Sequence, residues 1–169
     1  MHFVACFIFA FIFGTFLEYS VHRLMHVYPK FGNGITTHFN HHRCNTTKGF
    51  LGDFLDYSLV ALFALPTCLI SVSLGITFFL GILACAAFAS YAHQIQHDRP
   101  SECFWMKMPI HYVHHQNNQW DSNFGVAVDW WDRIFGTYKY VNWLESESSS
   151  PAKLNCLKAK SRAITTSKL

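Results

Sequence analysis

The sequence predicts an all-α integral membrane protein, with about three transmembrane helices and a histidine-rich helical cap on their cytoplasmic side. Three observations predict it. The 169 residues are 51% hydrophobic and only 14% charged, where soluble domains carry about 25% charge. The apolar residues are gathered in two long blocks instead of being spread over a globular core. Ten of the 11 histidines fall in four short clusters beside those blocks.

Composition also excludes several classes. An aromatic content of 17% argues against a disordered chain. The six cysteines are scattered and form no CxxC pair, which argues against a disulfide scaffold, a zinc knuckle or a redox dithiol. The net charge is +3, and Lys and Arg form no stripe with interleaved aromatics. No nucleic-acid partner is expected.

The first apolar block runs from Phe3 to Val21 and contains no Lys or Arg. A helix of that length covers roughly 28 Å, about one hydrocarbon thickness. A signal peptide would start with a basic stretch and end in a small-residue cleavage site; neither is visible, so 3–21 is expected to remain as a span. The second block runs from Gly49 to Ala92. Asp53 and Asp56 lie near its start, and no further charge appears before Asp98. It suits a hairpin of two spans, 52–70 and 74–97, with Ser71, Ser73 and Gly75 near the turn. Pro66 is expected to kink the first arm or help end it. Apolarity on all faces argues against a buried helix pair of a soluble protein.

Counting spans puts His22–Lys48 on the same side as everything from His93 onward. All 13 Lys and Arg lie in those two regions. The positive-inside rule therefore predicts a cytoplasmic cap, with the N-terminus and hairpin tip facing outward. A plasma or inner membrane is expected in a bacterium, and the endoplasmic reticulum in a eukaryote.

The clusters have helical spacing. His22 and His26 form HxxxH, and His38, His41 and His42 form HxxHH. His93 and His97 form a second HxxxH, and His111, His114 and His115 a second HxxHH. Positions three or four apart share a helix face, so each cluster presents two or three imidazoles in one direction. Crowded imidazolium groups would repel one another, whereas neutral imidazole suits iron, zinc, copper or nickel. Ten such rings suggest two ions, or one ion with many supporting histidines. Glu18, one turn before His22, and Asp98, next to His97, are candidates to accept the proton of a ligand's second ring nitrogen. Either can equally be an interfacial charge.

These residues resemble the fatty acid hydroxylase and sterol desaturase superfamily of integral-membrane, non-haem diiron proteins. The likeness covers roughly 15–140. It rests on the order HxxxH, HxxHH, HxxxH, HxxHH, on two spans between the second and third clusters, and on the closing stretch Asn123–Tyr138, NFGVAVDWWDRIFGTY. The resemblance implies that the ten clustered histidines hold two iron ions. It also implies dioxygen as co-substrate and hydroxylation, desaturation or related oxidation of a lipid C–H bond. Zinc is expected only as a substitute, by mis-metallation during expression. The chain has one span before its first cluster where many relatives have two. With no room for a fused cytochrome b5 domain, electrons are expected from a separate donor, cytochrome b5-like or ferredoxin-like, with its reductase. Members that act on ether or aldehyde lipids are the alternative within the family. A metal-transport protein is the alternative outside it, but the spans offer Thr67, Ser71 and Ser73 and no carboxylate pair after Asp56.

Asn117, Asn118 and Gln119 follow the last cluster, as candidates either for a lipid head group or for capping the helix. Trp120, Trp130, Trp131, Tyr138, Tyr140 and Trp143 suit an interfacial aromatic layer. Asp129, Asp132 and Arg133 are expected to pin the closing stretch against the cap. The domain is therefore drawn over 1–143, followed by a flexible cytoplasmic tail over 144–169. The terminal Ser167-Lys168-Leu169 matches a peroxisomal address, but a multi-span protein is a poor client for that route.

Overall fold

The computed structural model describes residues 2–34 and 38–144. The tail from 145 onward, with its terminal tripeptide, lies outside the described residues. Every regular element among those described is helical. Three helical segments are long and apolar enough to cross a membrane: His2–Val27, Gly49–Cys68 and Val72–Asp98. The chain is a multi-pass, all-α protein.

Helix α1, His2–Val27, has 26 residues and is about 39 Å long. It runs beyond the expected end at 21 as a single rod, which carries His22 and His26 out of the apolar zone on one buried face. Two short helices follow, α2 at Pro29–Gly34 and α3 at His38–Cys44.

The first arm of the hairpin is a broken rod. Helix α4, Gly49–Ser58, tightens into a 3₁₀ segment at Leu59–Ala64 and then into α5, Leu65–Cys68. Pro66 occupies the first turn of α5, where its missing N–H costs no helical hydrogen bond. The chain turns at Leu69–Ser71, and Ser71 caps α6, its hydroxyl accepting from Leu74 N. Ser73 and Gly75 therefore lie in the first turn of α6, Val72–Asp98, which has 27 residues.

Helices α1 and α6 pack backbone to backbone. A Cβ on Gly81 would come within 2.6 Å of Phe7 O, and one on Gly14 within 2.9 Å of Cys85 Cβ. Small residues at a membrane-helix contact allow this approach, because between apolar helices in lipid the attraction comes from packing. The buried core here is Ala10, Ala61, Ala64, Phe78 and Ile82. Large apolar side chains such as Val4, Phe9, Leu62, Phe63 and Leu80 point outward, as a lipid-facing surface requires.

The cap has its own core of Ile95, Met106, Met108, Ile110 and Val113, closed by Trp105 and Tyr138. It is built on α7, Ile110–Gln116, and α8, Trp130–Ile134, joined by an extended loop. The loop over 122–128 is buried throughout. Its backbone groups must therefore find partners inside the protein, and those partners surround the histidines.

Candidate metal centre

Helices α1, α3, α6 and α7 bring all ten clustered histidines together, in two adjoining groups. His22, His26, His38 and His42 form one group, and His41, His97, His111 and His115 the other. Within each group one ligand nitrogen per ring lies within 4.8 Å of the others. His114 joins the first: its Nε2 is 3.2 Å from His26 Nε2 and 3.3 Å from His42 Nε2. His93 joins the second, with its Nε2 3.2 Å from His41 Nε2. The groups touch where the His42 and His115 rings stack at 4.0 Å.

The HxxxH pairs stay whole: α1 serves the first group and α6 the second. The HxxHH triplets split. Helix α3 sends His38 and His42 one way and His41 the other; α7 sends His114 one way and His111 and His115 the other. Adjacent residues on a helix diverge by about 100°, so one short helix wedged between two centres can serve both.

Hydrogen-bond accounting shows which nitrogens face inward. His93 Nδ1 donates to Asp53 Oδ2 at 2.7 Å, and His41 Nδ1 to Thr46 O at 2.7 Å. His114 Nδ1 donates to Ser122 O at 2.8 Å, and His22 Nδ1 to Phe124 O. A carbonyl or carboxylate oxygen only accepts, so each of these rings carries its proton on Nδ1 and a lone pair on Nε2. His93 and His41 thus aim two lone pairs at each other across 3.2 Å. Nothing between two neutral rings makes that favourable. A shared cation does: ligand nitrogens about 2.0–2.1 Å from one ion lie roughly 2.9–3.4 Å apart. The 2.8 Å separation of His38 and His26 Nε2 and the 3.1 Å separation of His42 and His38 Nε2 fall close to that range.

Further buried ring nitrogens have no hydrogen-bond partner among the described residues, including His22 Nε2 and both nitrogens of His111 and His115. Unpartnered buried polar atoms cost about 1–3 kcal/mol each; metal coordination would relieve several at once. Burial, before any other cause, pushes His114 down to about 3 and His38 to about 2, and holds His111 and His115 well below the ordinary imidazole range. The rings are neutral near pH 7, the form that ligates. The donor set fits two imidazole-bound transition-metal ions.

The carboxylates stand elsewhere than expected. Glu18 is buried but takes no ring proton. It accepts from Val126 N at 3.0 Å and from Ala127 N at 3.2 Å, because these loop amides lack helical partners. Asp98 is exposed and accepts from Gln94 Nε2. The carboxylate that does accept a ring proton is Asp53, 5% exposed on α4, which takes that of His93. Its sequence signal was a charge inside an otherwise apolar block, which reads equally well as an interfacial residue.

The closing stretch is the scaffold behind the rings. Asp132, fully buried, accepts from Phe124 N at 2.8 Å, Gly125 N at 2.7 Å and Thr137 Oγ1 at 2.7 Å. Burial still holds its carboxyl above the usual range, against the pull of those three donors. Phe124 in turn offers its carbonyl to His22. Gln96, also fully buried, donates to Val126 O at 2.8 Å and accepts from His111 N at 2.9 Å. Asn123, at φ +59°, is clamped between Gln119 and Lys139. Asp129 pairs with Arg133, whose guanidinium lies 3.9 Å over the Tyr138 ring at the edge of the cap core.

Asn117 and Asn118 are exposed at the end of α7. Asn117 Nδ2 donates to Val113 O, and Asn118 turns the chain at φ +48°. The expected aromatic layer divides. The Trp120 indole lies over the first histidine group, 5.0 Å from the His26 ring and 5.2 Å from His42, because the turn after α7 folds back. Trp131 Nε1 donates to Thr15 Oγ1 at 2.9 Å and ties α8 to α1.

A family model described as fatty acid hydroxylase matches residues 7–137. The matched span holds all ten ligand candidates together with Asp53, Gln96 and Asp132. No curated protein and no solved structure matches.

Proposed function

The chain belongs to the fatty acid hydroxylase family, and from that premise we propose that it carries out oxygen-dependent hydroxylation or desaturation of a lipid C–H bond at a histidine-ligated pair of iron ions. The observation that carries this reading is the facing of His93 and His41 Nε2 at 3.2 Å with both Nδ1 protons already donated. That geometry asks for a cation, and a second group of the same kind adjoins it.

In this reading the first iron is held by His22, His26, His38, His42 and His114. The second is held by His41, His93, His97, His111 and His115. Bound iron supplies the oxidising power, from dioxygen and external electrons, that breaks an unactivated C–H bond. The chain's own residues do the rest. Phe124 O, Thr46 O, Ser122 O and Asp53 hold four rings by their Nδ1 protons and present Nε2 inward. Asp132, Glu18 and Gln96 hold the loop that supplies Phe124 O. The buried face formed by α1, α6, α7 and this loop keeps water away from the centre, as a strong oxidant requires.

The substrate is a membrane lipid that enters from the bilayer, since the histidines stand at the ends of the apolar helices. Electrons come from a separate protein donor. The histidine face lies in the cytoplasm, consistent with the placement of Lys and Arg.

Elemental analysis of the chain purified in mild detergent, followed by lipid analysis of expressing cells, tests the proposal. Near two irons per chain and an oxygen-dependent hydroxylated or desaturated lipid are expected. Folded protein that binds no metal, even after anaerobic iron reconstitution, would overturn it.

A further inference from the structure

On the outer face of α1, away from the histidines, an open groove of about 400 Å³ runs from the apolar zone to the polar end of the helix. Phe16 and Phe135 line its membrane side, Tyr19, Ser20 and Arg23 its polar middle, and Leu24 and Val27 continue it toward the end of α1. The wall is rigid. Phe135 stacks on Tyr19 at 5.5 Å and sits 6.1 Å from Phe16. Tyr19 OH lies 3.0 Å from Thr137 Oγ1 and accepts from Arg23 Nη1 at 3.2 Å. That is the guanidinium's hydrogen bond among the described residues, and none of their carboxylates pairs with it. The other described basic residues near acids are paired: Lys48 with Asp56, Arg99 with Glu102, and Arg133 with Asp129.

We propose that this groove holds an anionic glycerophospholipid of the surrounding membrane, its phosphate on Arg23 and one acyl chain along the Phe16–Phe135 wall. The guanidinium presents several donors in a planar fork that matches phosphate oxygens. Its place at the polar end of a span is the depth of lipid head groups. The groove is open along its side, so a lipid enters from the bilayer with its second chain left in the membrane. The proposal rests on α1 being a membrane span, and assigns a resident lipid distinct from the substrate.

Native mass spectrometry of the full chain in mild detergent tests it, with phosphatidylglycerol, phosphatidylcholine, oleate or inorganic phosphate added in separate arms. Wild type should retain phosphatidylglycerol about fivefold better than phosphatidylcholine, the ratio expected of one basic residue near a membrane surface. Arg23→Gln should bring the two lipids to parity while metal content is kept, and Arg23→Lys should keep part of the preference. If Arg23→Gln does not fold, Ser20→Trp, at another residue lining the groove, fills it with the guanidinium in place and should remove the bound lipid. Equal retention by wild type would overturn the proposal, as would an undiminished preference in the folded variants, or oleate or inorganic phosphate binding in place of phosphatidylglycerol. A chain that needs no detergent would overturn the membrane reading as well. A detergent-dependent chain without the preference would overturn the lipid site alone.

Discussion

Asp53 Oδ2 accepts the Nδ1 proton of His93 at 2.7 Å, across 40 residues of chain and between the two arms of the apolar hairpin. Both side chains are buried, at 6% and 7% exposure. The bond fixes the tautomer of a candidate ligand on α6 from a carboxylate on α4, and so ties the packing of the hairpin to the second histidine group. A carboxylate behind an imidazole also raises its basicity toward a metal.

Asp53→Asn keeps an acceptor for His93 but removes the charge. Iron affinity, measured by chelator competition, should fall about 10–100-fold with helical content unchanged. Unaltered affinity would reduce Asp53 to a packing role.

Asp132 accepts three hydrogen bonds in full burial. Asp132→Ala leaves two buried amides, Phe124 N and Gly125 N, without their acceptor, which should lower stability by about 3 kcal/mol. His22 loosens with the freed loop, so metal loss should accompany unfolding. A stable variant with normal iron but altered product positions would place Asp132 at the substrate instead.

Gly125 has no room for a side chain: a methyl there would overlap Val128 O and stand 2.9 Å from Asp132 Oδ2. Gly125→Ala should displace the loop and cost about 1–3 kcal/mol, read as a lower thermal midpoint in detergent. An unchanged midpoint would mean that the loop is not close-packed.

The two histidine groups should lose metal separately. His26→Ala touches the first, and His97→Ala the second. Each should lower iron from near two to near one per chain, and the double variant should remove both. Complete loss from either single variant would show that the two ions bind only together.

Acidification should destabilise the metal-free chain. His111, His114, His115 and His38 are neutral when folded, their affinity for protons reduced by burial, whereas unfolded histidine titrates near 6.5. Below about pH 6.5 the unfolded state therefore binds more protons, and stability falls with pH. The loss continues toward the depressed folded values, about 3 for His114. Denaturant midpoints measured between pH 7.5 and pH 5 (~6.5 being the unfolded value) should decline; a flat profile would mean that the metal-free rings are solvated.

What the sequence determined by itself is everything that depends on local periodicity. Continuous apolarity decided three spans, and histidine spacings of three and four decided which rings share a helix face. The order of the clusters and the NFG…WWD…FGT segment pointed to the family. Tertiary structure decided what depends on how helices cross. Spacing within α3 or α7 cannot say that His41 parts from His38 and His42, or His114 from His111 and His115, because that division requires two centres on either side of one short helix. Nor can it choose the partner of a buried carboxylate. Glu18 stands one turn from His22 yet serves amides more than a hundred residues away, while Asp53 reaches a histidine 40 residues on. A buried charge must be paired wherever the fold offers a donor, and that donor is a long-range fact.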